Sequence, residues 1–157
     1  MRITALFLLS LLFIQCKPIN LYEQTIDIPQ HKWKSDFIPS CTFQVSDTTA
    51  QYETFLILRH TDAYPYNNIW LFVQVETPDK VISFRTEQRL GNNEKGWFGT
   101  GLNDVYEHRI SLRAELTKAG LNGYSKSGPY TFRLTQIMRE DPLPAVLQAG
   151  IRVERIH

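Results

Sequence analysis

Residues 130–137 read Tyr-Thr-Phe-Arg-Leu-Thr-Gln-Ile, and apolar and polar side chains alternate over the first six of them. Successive side chains of a β-strand point to opposite faces, so this period of two puts Tyr130, Phe132 and Leu134 on one face. Residues 108–116 alternate in the same way, with apolar residues at the even positions from 110 to 116. Both segments are predicted to be strands with one face on a core and one face in water.

Six further short runs rich in β-branched and aromatic residues lie between turn signals, so the sequence predicts eight strands. The predicted strands are Tyr22–Ile28, Thr42–Val45, Tyr52–Arg59, Ile69–Glu76, Ile82–Thr86, His108–Leu116, Tyr130–Ile137 and Gly150–Arg155. Eight short strands in one chain favour an all-β fold, a two-sheet antiparallel β-sandwich of the jelly-roll kind, with no helix longer than a few turns. The runs 52–59 and 69–76 are apolar on both faces. They are expected to be central strands, or to have the second face covered by a loop or a partner.

The composition indicates one ordered domain. The chain has 157 residues, of which 43% are hydrophobic, and this apolar content disfavours disorder. Lys and Arg number 17 against 16 for Asp and Glu, and no basic stretch is present, so no nucleic-acid partner is expected. Two cysteines cannot form a disulfide framework. Cys41, beside Phe43 and Val45, is predicted to be a small buried hydrophobe, the alternative being a reactive thiol.

The first sixteen residues have the order of a secretion signal, with Arg2, then an apolar run, then Cys16. As a helix the run Ile3–Ile14 would extend about 18 Å, short of the roughly 30 Å core of a bilayer. A cysteine that closes such a run is typical of a bacterial lipoprotein, in which the thiol is acylated and the chain is cut before it. We therefore predict a signal peptide at residues 1–15, lipidation of Cys16, a linker at 16–21 and one domain at 22–157.

The residues before the cysteine depart from the usual lipobox, which has Leu three residues before Cys and a small residue just before it. Phe13 and Gln15 occupy those two positions. The alternative to lipidation is a secretory peptide that happens to contain a cysteine.

Residues that carry chemistry in other proteins are scattered along this chain. The four histidines (His31, His60, His108 and His157) have no metal-ligand spacing, and no Gly-x-Ser-x-Gly elbow is present. The carboxylates are dispersed, so the sequence does not pair two of them across a cleft. We predict no enzyme activity, no metal and no cofactor.

One glycine-rich stretch, Gly96-Trp97-Phe98-Gly99-Thr100-Gly101, has the glycine content of a phosphate-binding loop. It lacks the Gly-Lys-Ser/Thr ending of a P-loop, and no βαβ unit surrounds it. Three glycines give access to backbone angles that other residues reach only with strain, so a sharp loop is predicted. Trp97 is expected to pack on the sandwich and Phe98 to lie nearer the surface. The alternative is a loop that presents aromatic contacts to a ligand or partner.

One longer pattern goes beyond generic strand signals. Residues 59–72 read Arg-His-Thr-Asp-Ala-Tyr-Pro-Tyr-Asn-Asn-Ile-Trp-Leu-Phe and resemble the Arg-x-Thr-x-x-Tyr-Pro-Tyr-x-Asn-Leu-Trp-Leu-Phe stretch of the gliding motility lipoprotein GldH family. Residues 96–101, 128–132, 136–143 and 150–154 resemble later segments of that family in the same order. The resemblance runs from about Tyr22 to the C-terminus. It implies a lipoprotein of the cell envelope, expected in the outer membrane facing the periplasm, tied to gliding motility and type IX secretion, with no catalytic residue.

The candidate partner-binding residues are Arg59, Tyr64, Tyr66, Trp97 and Phe98. Together with the two-sided apolar strands they are hypothesised to form a docking surface for other envelope proteins. The structural alternative is that Pro65 fixes a tight turn which Tyr64 and Tyr66 clamp. A second functional hypothesis is a carbohydrate-binding module whose loop aromatics stack on sugars, and a third, weaker one is a hydrolase.

Overall fold

The computed structural model describes residues 20–156, so the predicted signal peptide and Cys16 lie outside the described residues. The elements are β1 (Leu21–Asp27), a 3-10 turn (Pro29–His31), β2 (Lys32–Trp33), β3 (Ser40–Val45), β4 (Gln51–Thr61), β5 (Asn68–Glu76), β6 (Val81–Arg89), β7 (Gly91–Asn92), β8 (Gly96–Trp97), β9 (Thr100–Leu102), β10 (Val105–Ser111), α1 (Arg113–Lys118), β11 (Gly128–Gln136), β12 (Leu143–Pro144) and β13 (Val146–Ile156). Each of the eight predicted strands corresponds to one of the eight longer strands. The prediction missed the four two-residue strands and β9.

The longer strands form two antiparallel sheets. One sheet has the order β1-β13-β4-β10-β9 and the other has the order β3-β11-β5-β6. When only the eight longer strands are counted along the chain, the sheets read first-eighth-third-sixth and second-seventh-fourth-fifth. This is the strand order of a jelly roll, so the predicted β-sandwich is confirmed. The two remaining pairs, β12-β2 and β7-β8, are short additions at one end.

The core lies between the inner faces of the two sheets. Leu56 and Leu58 of β4 face Leu71 and Val73 of β5 across it, and all four are fully buried. Cys41 of β3 is also fully buried, as predicted, and its thiol donates to the Gln24 carbonyl at 3.3 Å. Burial raises the pKa of this thiol, which keeps it protonated and unreactive.

Both strands predicted to be central are inner strands of their sheets, but their outer faces differ. On β4, Ile57 is buried on the outer face, and the Arg109 guanidinium lies 4.2 Å from the centre of the Phe55 ring. Side chains from neighbouring strands therefore cover this second apolar face. On β5, the Trp70 side chain points outward and is 40% exposed.

One predicted strand is wrong in its second half. The strand predicted at 108–116 ends at Ser111, and residues 113–118 form the single turn and a half of helix α1. Leu112 and Leu116 are both buried, whereas Ala114 is exposed, because residues four apart share a face of a helix. The helix crosses from β10 to the other sheet, where the Glu115 carboxylate accepts from Gln88 of β6 at 3.1 Å.

Among residues 20–156, no helix is long and apolar enough to span a bilayer.

The sandwich has two distinct ends. Strand β1 starts at one of them, called the N-terminal end here, together with the loops that follow β3, β5 and β10. The opposite end, called the distal end, carries residues 28–39, 62–67, 90–104 and 137–145. Strand β4 has eleven residues and connects the ends, so they lie about 35 Å apart.

Replacement of Gly150 by Ala is expected to detach β1 from the sheet. A Cβ at Gly150 would lie 2.0 Å from the carbonyl oxygen of Gln24 and 2.6 Å from the Thr25 Cα, which are backbone atoms of β1. Gly150→Ala should lower the free energy of unfolding by about 2 kcal/mol or more, measured by denaturant melts.

The matched control is Gly123→Ala, where the added Cβ meets nothing within 4 Å and only the backbone angle of +86° is strained. Amide hydrogen exchange of β1 should accelerate in the Gly150 variant alone. An equal loss of stability in both variants would contradict the clash.

Candidate functional site

The distal end brings three of the five candidate residues together. Tyr64 and Tyr66 lie in the β4–β5 loop, and Trp97 lies in the glycine-rich segment; these three line one cleft of about 240 Å³. Asn67, Asn92 and Asn93 line the same cleft, and the Asn92 side-chain oxygen accepts from the backbone N–H groups of Glu94 and Lys95 at 3.1 and 2.5 Å. Sequence reasoning placed these aromatics in loops, and the antiparallel connections bring the loops to one end.

Trp97 packs on the sandwich and Phe98 faces outward, as predicted. The Trp97 indole is partly buried, with its ring centre 4.4 Å from that of His60 in an edge-on arrangement. Its Nε1 donates to the Asp62 carboxylate at 2.9 Å. Phe98 is 52% exposed.

The glycines of this segment have two different roles. Gly96 has a positive φ of +74°, which the prediction attributed to all three glycines. Gly99 does not; a Cβ there would lie 2.5 Å from the Glu107 carbonyl oxygen and 3.0 Å from the His108 ring. Gly99 is therefore required for close approach to β10, and the sequence could not distinguish this need from a turn.

The two tyrosines of the loop differ in exposure and in bonding. Tyr64 is 3% exposed, its hydroxyl donates to the Asn68 carbonyl at 3.0 Å, and burial raises its pKa. Tyr66 is half-buried, its ring lies edge-on to Tyr64, and its hydroxyl donates to Glu140 at 2.8 Å. That hydrogen bond raises the pKa of Tyr66. Tyr64 closes the loop onto the core, while Tyr66 remains within reach of a ligand.

Arg59 is not part of this group. It lies on the outer face of the β1-containing sheet, where its guanidinium donates to the Glu107 carboxylate and to the Gln148 side chain. A shallow groove beside it is lined by Asp27, His31 and Gln148. The structure thus separates Arg59 from the aromatic loops by the thickness of the sheet.

Beneath Trp97, two buried histidines face each other across β4 and β10. His60 and His108 are 0% and 3% exposed, and their Nε2 atoms are 2.9 Å apart. In the ladder His60 pairs with Tyr106 and His108 pairs with Leu58, so the two are diagonal neighbours. Sequence reasoning missed the pair because the histidines are 48 positions apart. One feature of the sequence could have indicated the pair: both histidines lie at positions whose side chains point to the inner face of a strand.

The hydrogen bonds fix the protonation of this pair. The Nδ1 atom of His60 is 2.8 Å from the Thr61 carbonyl oxygen, which can only accept, so Nδ1 carries a proton. The neutral His60 ring then accepts at Nε2 from the Nε2–H of His108. Burial lowers the pKa of both rings, and with the added effect of His60 the pKa of His108 falls to about 4.

The pair is sealed from solvent, so it does not offer a proton to a substrate. Within residues 20–156, no third His, Cys, Asp or Glu joins it to make a metal-ligand group. A further cleft of about 440 Å³ at the N-terminal end is lined by Thr54, Asn122 and Tyr124 among others, and its lining includes no carboxylate, histidine or cysteine. Among the described residues, aromatic and asparagine residues line the distal cleft, whereas Asp27 and His31 line the groove beside Arg59.

These features define a jelly-roll domain with a cluster of aromatic loops at the end opposite the start of its first strand. The sequence model of the GldH lipoprotein family matches residues 20–153, and the chain belongs to that family. It is 26% identical over 153 residues to the gliding motility lipoprotein GldH homolog of Christiangramia forsetii, covering 92% of this chain and 90% of that protein. It is 24% identical over 158 residues to the gliding motility lipoprotein GldH of Flavobacterium johnsoniae, covering 96% of this chain and 94% of that protein.

Among solved structures, a chain from the structure of infectious bursal disease virus strain Gx aligns with this chain with a TM-score of 0.31 and 8% sequence identity. The alignment covers 89% of this chain and 33% of the viral chain.

The buried pair predicts acid sensitivity in a defined window. An unfolded imidazole takes up a proton near pH 6.5, whereas His108 in the folded protein does so only near pH 4. The unfolded state therefore binds more protons as the pH falls through this window, and stability should drop by about 2 kcal/mol between pH 7.5 and pH 5. Urea melts at the two pH values measure the change.

His108→Gln is the control, because an amide can still donate to His60 but does not titrate. This variant should lose less stability than the parent over the same window. An unchanged pH dependence would show that other groups cause it.

Trp97→Ala and Phe98→Ala test the loop with two adjacent aromatic truncations. Trp97→Ala should lower the free energy of unfolding by about 3 kcal/mol, since it removes the contact with His60 and the bond to Asp62. Phe98→Ala should cost less than about 1 kcal/mol because the ring is exposed. Denaturant melts that rank the two variants in the opposite order would contradict the packing.

Proposed function

We propose that this chain is an accessory lipoprotein of the cell envelope that serves gliding motility and its type IX secretion machinery. It is held by acyl chains on Cys16 and acts by binding other envelope proteins, without catalysis. Membership of the GldH lipoprotein family and the names of the two relatives support the gliding role. We place it in the outer membrane, facing the periplasm.

The polarity of the sandwich is the observation that carries this proposal. Strand β1 begins at Leu21, at the N-terminal end, and the aromatic loops lie at the distal end. If residues 1–15 are removed and Cys16 is acylated, the linker to Leu21 reaches at most about 17 Å. The N-terminal end is then held near the bilayer, and the distal end is presented about 35 Å further away.

Stable anchoring follows from the acyl chains themselves. Each buried CH₂ contributes about 0.8 kcal/mol, so several chains retain the protein without a polybasic segment. The proposal therefore needs no membrane-spanning helix and no cationic surface at the N-terminal end.

The candidate residues divide by accessibility. Phe98, Tyr66 and the partly buried Trp97 are proposed to contact the partner, and Tyr64 is proposed to hold the β4–β5 loop in position. Arg59, on a different face, is proposed as a separate polar contact whose ion pair with Glu107 must open for binding. Surface ion pairs of this kind are worth at most about 1 kcal/mol, so the opening costs little.

A carbohydrate-binding module is the second candidate, and one observation favours it. The distal cleft combines the aromatic rings of Tyr66 and Trp97 with the amides of Asn67, Asn92 and Asn93. Aromatic rings stack on sugar faces, while amides bond to hydroxyls. Binding of neutral oligosaccharides that is lost in Tyr66→Ala would favour this reading over a protein partner.

Cys16→Ala tests the anchor. The variant should leave the membrane fraction, or remain unprocessed, because no acylated thiol is left to hold it. Fractionation of the envelope followed by mass spectrometry of the N-terminal peptide measures both outcomes. Membrane retention equal to that of the parent, with no acyl group detected, would overturn the proposed anchor.

The protein contacts are tested in the same cells with a photo-crosslinking amino acid at position 98. Defined adducts with envelope proteins are expected from this site at the distal end. The matched control carries the same probe at Thr49, at the N-terminal end. Adducts from position 49 but none from position 98 would overturn the proposed polarity.

A further inference from the structure

Another cleft lies on the outer face of the β3-β11-β5-β6 sheet, close to the distal end. It has a volume of about 440 Å³ and is lined by Tyr66, Asn68, Trp70, Arg85, Ile137, Met138 and Arg139. Trp70 is one of these lining residues and is 40% exposed on the outer face of β5. Only Tyr66 among these residues was singled out from the sequence.

The walls of this cleft are held in place before any ligand binds. The Trp70 backbone N–H donates to the Met138 sulfur at 3.2 Å, and its carbonyl accepts from Ile137 at 3.0 Å. The buried Gln136 side chain accepts from the Met138 N–H at 2.9 Å. Since Tyr66 is also tied to Glu140, binding requires little ordering of the protein, which favours affinity.

The charges around the cleft are distinctive. Arg85, Arg89 and Arg139 are exposed and make no ion pair, whereas every other arginine among residues 20–156 has a carboxylate partner within 4.0 Å. Arg85 and Arg139 line the cleft. Arg89 lies on the same outer face of β6, opposite Asn68. The arginines of residues 20–156 that lack a carboxylate within 4.0 Å therefore lie around one aromatic surface, which also carries Glu87, opposite Trp70 in the β5–β6 ladder, and Glu140 beside Tyr66.

We propose that this cleft, named the Trp70 cleft, binds an acidic, apolar segment of a partner protein. Aromatic residues, Met and Arg are the types enriched at the centres of protein interfaces, and here they occur together. The apolar side chains of the segment would pack on Trp70, Ile137 and Met138. Its carboxylates would pair with Arg85 and Arg139, whose planar guanidiniums bind carboxylates in a bidentate way.

An anionic sugar is less well matched to the same cleft. Sugar sites need several amides or carboxylates that are free to bond to hydroxyls, and the Asn68 amide is already bonded to Glu87 at 2.6 Å. The apolar wall made by Ile137 and Met138 offers no partner to hydroxyl groups. An apolar side chain of a peptide can pack against this wall, so the peptide is the occupant that the chemistry favours.

This inference rests on the proposed function, because a protein partner is assumed. It adds a binding surface distinct from the candidate residues predicted from the sequence. Tyr66 lines both the Trp70 cleft and the distal cleft that contains Trp97, so one partner can cover both.

The test measures binding of defined probes to the full-length lipidated protein in detergent. The probes are a labelled octapeptide with alternating Asp or Glu and Phe or Leu, the same peptide with Asn and Gln in place of the acids, and hexameric oligogalacturonate. The acidic peptide should bind, and it should bind at least about tenfold more tightly than its amide version. Higher salt should weaken its binding.

Two variants connect binding to the cleft. Trp70→Ala, and the double variant Arg85→Gln with Arg139→Gln, should each weaken acidic-peptide binding by about tenfold or more. The matched control is Arg133→Gln, which removes an arginine from the same sheet face that is already paired with Glu76. It should leave binding unchanged, and circular dichroism should show all variants folded.

The outcomes separate this proposal from the proposed function. Cys16→Ala should bind the acidic peptide as the parent does, so loss of anchoring does not affect the readout. Oligogalacturonate binding with the same dependence on Trp70, without peptide binding, would overturn the protein occupant. Absence of binding by the acidic peptide up to about 1 mM would also overturn it.

Discussion

Strand β4 is hydrogen-bonded on both edges, to β13 and to β10, and the register of these two ladders determines the rest of the molecule. Its inner face supplies Leu56 and Leu58 to the core, and its last inward-facing residue, His60, packs beneath Trp97. Because side chains alternate along a strand, a slip of one residue would send the leucines outward and bring Arg59 into the core. The pairing of β4 therefore fixes the core and the distal end together.

The two outer faces of the sandwich differ in how their arginines are paired with carboxylates. On the β1-containing sheet, carboxylates pair with Arg59, Arg109 and Arg152. These side chains cover the apolar residues of β4, so the charges and the apolar side chains of this face find their partners within the domain. On the opposite sheet, Trp70 is exposed and the nearby arginines have no carboxylate partners. This asymmetry is the reason for proposing a binding surface on that sheet face.

The histidine pair shows how a polar group is accommodated in this core. Each ring nitrogen in the contact has a defined role, because the Thr61 carbonyl requires a proton on His60 and leaves its Nε2 free to accept. A second proton would place two N–H groups face to face in a buried space. The neutral pair thus supports Trp97 from below while remaining outside any chemistry at the surface.

The fold class, the number of long strands and the inward packing of Trp97 could be predicted from the sequence, because alternation and turn residues act locally. The sequence did not determine that the chain turns into a helix after Leu112, since Leu112 and Leu116 satisfy a strand period and a helical one equally. It also did not find the His60–His108 contact or the Trp70 cleft, which join residues from different strands and loops. These features depend on strand order, which sets the neighbours of each side chain through contacts between segments that are distant in the sequence.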